Sequence, residues 1–144
     1  LNKKKKKIMK RNASAIWNGS GKEGKGTLTT QSTAVNNAQY SWSTRFAEGV
    51  GTNPEELIAA AHAGCFSMKL SFVLGSKNFT PEKIETKALV NLENGAIDAV
   101  HLIVSASVPA ISPEDFQAAV LEAKDNCPVS KVLNAAITVE ATLN

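Results

Sequence analysis

Two cysteines, Cys65 and Cys127, stand 62 positions apart in a 144-residue chain that also holds two histidines, His62 and His101, and two arginines, Arg11 and Arg45. A thiol attacks only as its thiolate, so the question is which neighbours favour ionisation. Cys127 precedes Pro128, a residue tolerated at the first helical position, and so reads as the cap of a short helix whose unpaired N–H groups and positive dipole end favour a thiolate. On local physics it is the more activated of the two, with a plain cap substitute in a Cys-Pro turn as the alternative. Cys65, among Ala61, Gly64, Met68 and Phe72, reads first as a small core hydrophobe.

The other reactive side chains each have an ordinary reading beside a chemical one. Arg45 is a rare arginine in a chain with fourteen lysines; its guanidinium fork can hold a carboxylate and steady a thiolate together, though one arginine on a strand is usually a surface ion-pair partner. Glu55 is a carboxylate suited to the first turn of a helix. His62, three residues before Cys65, is near enough on a helix surface to touch it. A nucleophile and a base on one helix meet in poor geometry, which favours a packed histidine. The two cysteines and two histidines lack the spacing of a structural zinc site.

The elements that position these residues follow from pattern. Arg11 to Trp17 and Gly26 to Thr30 read as short strands, joined by a loop with Gly19, Gly21 and Gly24 that has no phosphate-binding spacing. Tyr40 to Phe46 alternates aromatic and polar residues and predicts a third strand carrying Arg45. Asn53-Pro54-Glu55-Glu56 is a helix start, with Asn53 as cap. The helix is expected to run to about Leu74, with Gly75 in the left-handed conformation at its end. Apolar residues cover most of its circumference, so it is expected to be central and buried by sheet and helices alike.

Ile84 to Glu93 and Ile97 to Val108 alternate about Asn94-Gly95, the strongest short hairpin signal. Val100, Leu102, Val104 and Ala106 form the inward set and His101 faces the other way. Ser112-Pro113-Glu114-Asp115 opens a helix that buries Phe116, Ala119, Val120 and Ala123 and stops near Asn126. Pro128 starts a short helix, and Ile137, Val139, Ala141 and Leu143 alternate in a closing strand. Strands not regularly interleaved with helices make an α+β chain.

Length predicts one compact domain, and 43% hydrophobic and 20% charged residues exclude a disordered or low-complexity chain. The formal net charge of +3 becomes −2 without the five lysines Lys3 to Lys7. The basicity therefore belongs to residues 1–8, read as a solvated, disordered tail upstream of a native start at Met9, and the domain as residues 9–144. No aromatic residues alternate with these lysines, which argues against a nucleic-acid arm. No apolar stretch of signal-peptide kind follows them, and Leu57 to Leu74 is interrupted by His62, Ser67, Lys69 and Ser71, against a membrane span. A cytoplasmic protein is expected, in which two cysteines are inert thiols or a redox pair rather than a structural disulfide.

The runs Asn53-Pro54-Glu55-Glu56-Leu57, Ala60-Ala61-His62-Ala63-Gly64-Cys65-Phe66-Ser67-Met68 and Cys127-Pro128-Val129-Ser130 resemble the osmotically inducible protein C (OsmC) family. Thr44-Arg45-Phe46, Gly51-Thr52-Asn53-Pro54 and the Asn94-Gly95 hairpin fit as well, so the resemblance covers essentially all of Met9 to Leu143. The motif around His62 and the valine after Cys127-Pro128 are more similar to OsmC proper than to the sister organic hydroperoxide resistance (Ohr) proteins. The resemblance implies an α+β fold of antiparallel sheets packed around a long buried central helix, in an intertwined homodimer. It also implies reduction of organic hydroperoxides, and more weakly hydrogen peroxide, to alcohols.

Carried onto this chain, the resemblance makes Cys65 the peroxidatic thiol, Cys127 the resolving thiol, and Arg45 with Glu55 the activating pair. This reverses the local argument for Cys127 as attacker, and is consistent if Arg45 lowers the pKa of Cys65. The cycle passes through a sulfenic acid and a disulfide, which an external dithiol, in the family typically a lipoylated protein, restores. No bound cofactor or metal is implied. Glu55 and Cys65 are ten residues apart on one helix, about 15 Å along its axis, so a shared site would take Glu55 from the other subunit. The competing readings are a thiol hydrolase or thioesterase with His62 or His101 as base, and a stress protein that binds a small molecule without reacting.

Overall fold

The structure is a computed structural model that describes residues 7–144, so all but Lys7 and Ile8 of the expected basic tail lie outside the described residues. The chain forms two compact units, one reaching Pro54 and the other running from Glu55 to Asn144.

The first unit holds β1 (Ala13–Asn18), β2 (Lys25–Thr30), β3 (Ala38–Tyr40) and α1 (Trp42–Phe46), with the strands in the antiparallel order β1-β2-β3. Gly26 pairs with Trp17 on one side and Tyr40 on the other. The two rings close over it with centroids 5.2 Å apart, and any Cβ at Gly26 would run into both rings. Among its described residues only Gly24, Gly26 and Thr44 are buried. The unit therefore has a sheet but no apolar core of its own.

The expected third strand from Tyr40 to Phe46 is corrected. The strand ends at Tyr40 and Trp42 begins a helix. The Ser41 hydroxyl accepts the Thr44 N–H at 3.4 Å, and the Thr44 hydroxyl accepts the Ser41 N–H at 2.8 Å. This reciprocal cap satisfies two helix-end donors locally, and it outweighs the aromatic alternation that suggested a strand.

The second unit opens with α2 (Pro54–Ser76) and continues through β4 (Lys83–Glu93), β5 (Ala96–Ser107), α3 (Pro113–Asn126), α4 (Pro128–Val132) and β6 (Ala136–Leu143). β4 and β5 are antiparallel, and Asn94 and Gly95 both have positive φ (50° and 76°), as a two-residue hairpin turn of matching twist requires. β6 pairs with β5 in parallel. The sheet is therefore mixed, not wholly antiparallel, because the chain crosses over through α3 and α4 before returning in the direction of β5.

The core forms on the inner face of this sheet. Val100, Leu102, Val104 and Ala106 are buried against Phe66, Leu70, Val73 and Leu74 of α2 and Phe116, Ala119, Val120 and Ala123 of α3. The Ser112 hydroxyl caps α3 by accepting the Asp115 N–H, and the Ser67 and Thr86 hydroxyls tie α2 to β4 at 2.7 Å.

Two expectations for α2 are corrected. Its end is set by Asn78, not Gly75: Asn78 takes φ of 67°, and Asn78 N–H and Phe79 N–H donate to the carbonyls of Gly75 and Leu74. That pair of hydrogen bonds, with Phe79 folded onto the core, is a complete helix stop three residues beyond the predicted one. Nor is the helix buried all round. By length and composition it is apolar enough to cross a membrane, yet only one stripe joins the core, and Met68 and Phe72 are 65% and 69% exposed.

Candidate active site

The second unit brings the two cysteines together. Cys65 lies in the middle of α2, half-buried, and Cys127 forms the joint between α3 and α4, wholly buried. Both are free thiols, and Cys127 and the Val129 backbone lie near enough to Cys65 to act on its ionisation. Burial and the neighbouring thiol push the Cys65 pKa up, while the Val129 backbone and the Lys69 ammonium pull it down. The upward causes prevail, so within this unit Cys65 is held as a thiol. Cys127 caps α4 as expected, but its side chain makes no cap hydrogen bond.

The local elements explain this meeting. Cys127 ends α3, donating its N–H to the Ala123 carbonyl, and its own carbonyl accepts the Lys131 N–H of α4. The joint thus belongs to both helices. Val129 and Leu133 pack against the same core cluster as Cys65.

His62 is fully buried, and its Nε2 lies 2.8 Å from the Ser130 hydroxyl of α4. Burial lowers its pKa, so the ring is neutral. Its Nδ1 has no hydrogen-bond partner among the described residues. The packed-histidine reading stands, with an addition the sequence reading missed: Ser130 as its partner. The only signal was symmetry, since His62 is three before one cysteine and Ser130 three after the other. His101 lies on the outer sheet face, between Thr138 at 2.7 Å and Glu140 at 3.7 Å. One histidine is engaged and the other faces away from the core that Cys65 joins, so neither is placed as the base of a thiol hydrolase. Among the described residues, no three His, Cys, Asp or Glu side chains come together to hold a metal.

Glu55 is buried in the first turn of α2, on the same unbroken helix as Cys65. Ten residues of helix keep them about 15 Å apart along the axis, beyond a glutamate's reach. Arg45 lies in the first unit, in the last turn of α1, with its guanidinium 5.2 Å from the Phe46 ring. It lines a cavity of about 210 Å³ with Trp17, Tyr40, Trp42, Phe46 and Pro54. The Asn53 amide donates to the Thr44 carbonyl at 3.0 Å, pinning the turn that carries Arg45. A larger cavity of about 370 Å³ in the same unit, beside Asn18, Lys25 and Val50, contains none of the four predicted site residues.

Comparison with known proteins gives the family and the fold. The family model "OsmC-like protein" matches residues 47–142. The chain is 47% identical over 133 residues to Peroxiredoxin OsmC of Escherichia coli (strain K12), covering 90% of this chain and 93% of the relative. It is 31% identical over 103 residues to an organic hydroperoxide resistance protein-like sequence of Staphylococcus aureus (strain USA300), covering 68% and 73%. The fold matches the OsmC-like protein of Mycoplasma pneumoniae with a TM-score of 0.73 at 14% identity, over 94% of this chain and 97% of that one. It matches the organic hydroperoxide resistance protein OhrB of Bacillus subtilis with a TM-score of 0.65 at 23% identity, over 91% and 98%. With its paired thiols, its α+β architecture and a curated relative sharing nearly half its residues, the chain belongs to the OsmC-like family, within the wider group that includes the organic hydroperoxide resistance proteins.

Proposed function

We propose that this protein is a thiol peroxidase that reduces organic hydroperoxides, and more weakly hydrogen peroxide, to alcohols through a cycle of two cysteines. The observation that carries the reading is the proximity of a half-buried thiol and a wholly buried one, Cys65 and Cys127. Substrate must reach the attacking sulfur, which favours Cys65, and the resolving sulfur gains from being shielded. The names of the curated relatives support the same substrate class.

The Cys65 thiolate attacks one peroxide oxygen, the O–O bond breaks, and the alkoxide takes a proton and leaves as an alcohol. Cys65 is now a sulfenic acid. The Cys127 sulfur attacks it, the S–O bond breaks and water leaves, giving a disulfide; an external dithiol, such as a lipoylated protein, reduces it by exchange. No bound cofactor takes part, and the cytoplasm suits two thiols kept reduced.

Arg45 stabilises the thiolate and the charge developing on the peroxide oxygens, and Glu55 orients the guanidinium. A cation is needed because burial holds Cys65 protonated. The aromatic cavity beside Arg45 suits an organic substrate over a small polar one. The working form is a homodimer in which Glu55 of one copy serves the site of the other. Two features support it: the first unit has no apolar core, and Ile16, Phe46, Val50, Met68 and Phe72 are all at least half exposed in the single chain. A monomer with full peroxidase activity would overturn the shared site.

The test is intact-mass analysis of reduced protein after one equivalent of cumene hydroperoxide. The wild type is expected to lose about 2 mass units as the disulfide forms, and Cys127→Ser to gain about 16 for each oxygen on Cys65. Two unmodified proteins would sink the reading.

A further inference from the structure

We propose that the hydrogen bond between His62 and Ser130 is a positioning clamp for the resolving step, holding Cys127 where it condenses with oxidised Cys65 before a second peroxide arrives. The proposal rests on the two-cysteine cycle given above.

α4 has five residues, none of them buried, and its cap residue Cys127 makes no side-chain cap bond. A helix that short has no stability of its own. Its hold on α2 includes Val129 and Leu133 at the core edge and the 2.8 Å bond from Ser130 to His62. The last is a polar tie between the two cysteine-bearing elements, one turn away from each thiol.

The imidazole is expensive at this place. His62 has no exposed surface and one of its two ring nitrogens has no partner. An apolar side chain of similar size would fill the space at lower cost. What the imidazole adds is location. An unpaired buried lone pair is less costly than an unpaired N–H, which puts the proton on Nε2 and makes the Ser130 oxygen the acceptor.

The chemistry gives location a value. Sulfenic Cys65 has two fates: attack by Cys127, which forms the S–S bond and releases water, or attack on a second hydroperoxide, which gives sulfinic acid and a second alcohol. The first is intramolecular and depends on where Cys127 is held. The second depends on peroxide concentration. Loosening α4 slows the first and leaves the second unchanged.

The experiment compares wild type, Ser130→Ala, Ser130→Thr and His62→Gln by intact mass at rising cumene hydroperoxide, with a dithiol present. Ser130 is only half-buried, and thermal melts establish that each variant is folded. Ser130→Ala is expected to reach half-sulfinic Cys65 at about tenfold lower peroxide, the loss of one part-buried hydrogen bond. Its first, single-turnover step keeps its rate within about twofold. Ser130→Thr keeps the hydroxyl and His62→Gln keeps a donor at the Nε2 position, so both are expected to behave as wild type. Equal partition in all four proteins, or a first step slowed as much as the second, would overturn the clamp. A wild type that gains oxygen without ever losing two hydrogens overturns the cycle itself, a separate result.

Discussion

Cys65 on α2 and Cys127 at the α3–α4 joint are neighbours, near enough for the Cys127 thiol to push the Cys65 pKa up while the Val129 backbone that follows the joint pulls it down. Steady-state turnover with a dithiol is expected to fall by roughly three orders of magnitude or more in Cys65→Ser. Cys127→Ser is expected to keep its first turnover and then lose activity as Cys65 over-oxidises, so stopped-flow and steady-state assays will disagree for that variant and agree for Cys65→Ser.

Lys69 stands one turn beyond Cys65 on α2, and its charge opposes the burial that raises the thiol pKa. Lys69→Met removes that opposition. The pH profile of the single-turnover rate, which follows the thiolate, is expected to move to higher pH. Lys69→Arg is expected to leave it in place. A profile unmoved by Lys69→Met would show that the ammonium contributes nothing at the sulfur.

His62 gives the fold a pH dependence of definite sign. Its folded pKa lies below 6.5 because burial disfavours the imidazolium. As pH falls through about 6.5, the unfolded chain takes up a proton that the folded chain resists. Stability is therefore fully present above that range and is lost on acidification. Melting temperature is expected to drop between pH 7.5 and pH 5.5 more steeply in wild type than in His62→Gln.

Phe116 has no exposed surface and sits among the buried residues of α2, α3 and β5. Phe116→Ala is expected to cost about 3–5 kcal/mol in urea unfolding, the loss of a large buried ring plus the cavity it leaves.

Gly26 tests the first unit independently. A Cβ there meets Tyr40 at 2.5 Å and Trp17 at 2.7 Å, with the Ile16 carbonyl at 2.8 Å. Gly26→Ala is expected to destabilise by about 1–3 kcal/mol and to disturb tryptophan fluorescence. The same change at Gly21, where nothing lies within 4 Å of the added atom, is expected to be nearly silent.

What could be read from the chain alone divides along physical lines. The Asn94-Gly95 turn, the Ser112 cap and the inward sets of β5 and α3 were legible because each is decided by residues a few positions apart. The run after Tyr40 is not legible from its aromatic alternation because the Ser41 cap outweighs it. Gly75 and Asn78 both tolerate the left-handed conformation, so composition alone does not decide which of them ends α2. The exposed flank of α2 was not legible: an apolar residue at Met68 or Phe72 looks the same whether its own chain or another covers it. The meeting of Cys65 with Cys127 came from resemblance to a family, because no local pattern links residues 62 apart. Of the four residues predicted for the site, Cys65 and Cys127 lie close together, while Glu55 is held along α2 and Arg45 on the first unit.

The parallel pairing of β6 with β5 ties redox chemistry to the order of folding. Cys127 lies on the crossover between those strands, and a crossover is held in place only when its far end is anchored. Parallel, non-local pairing is among the slower steps a small fold completes. A chain still emerging from synthesis carries Cys65 long before β6 exists to fix the joint. In the proposed cycle the joint that carries Cys127 thus sits on a crossover whose far strand is among the last to pair, so the site is complete only once the sheet has closed.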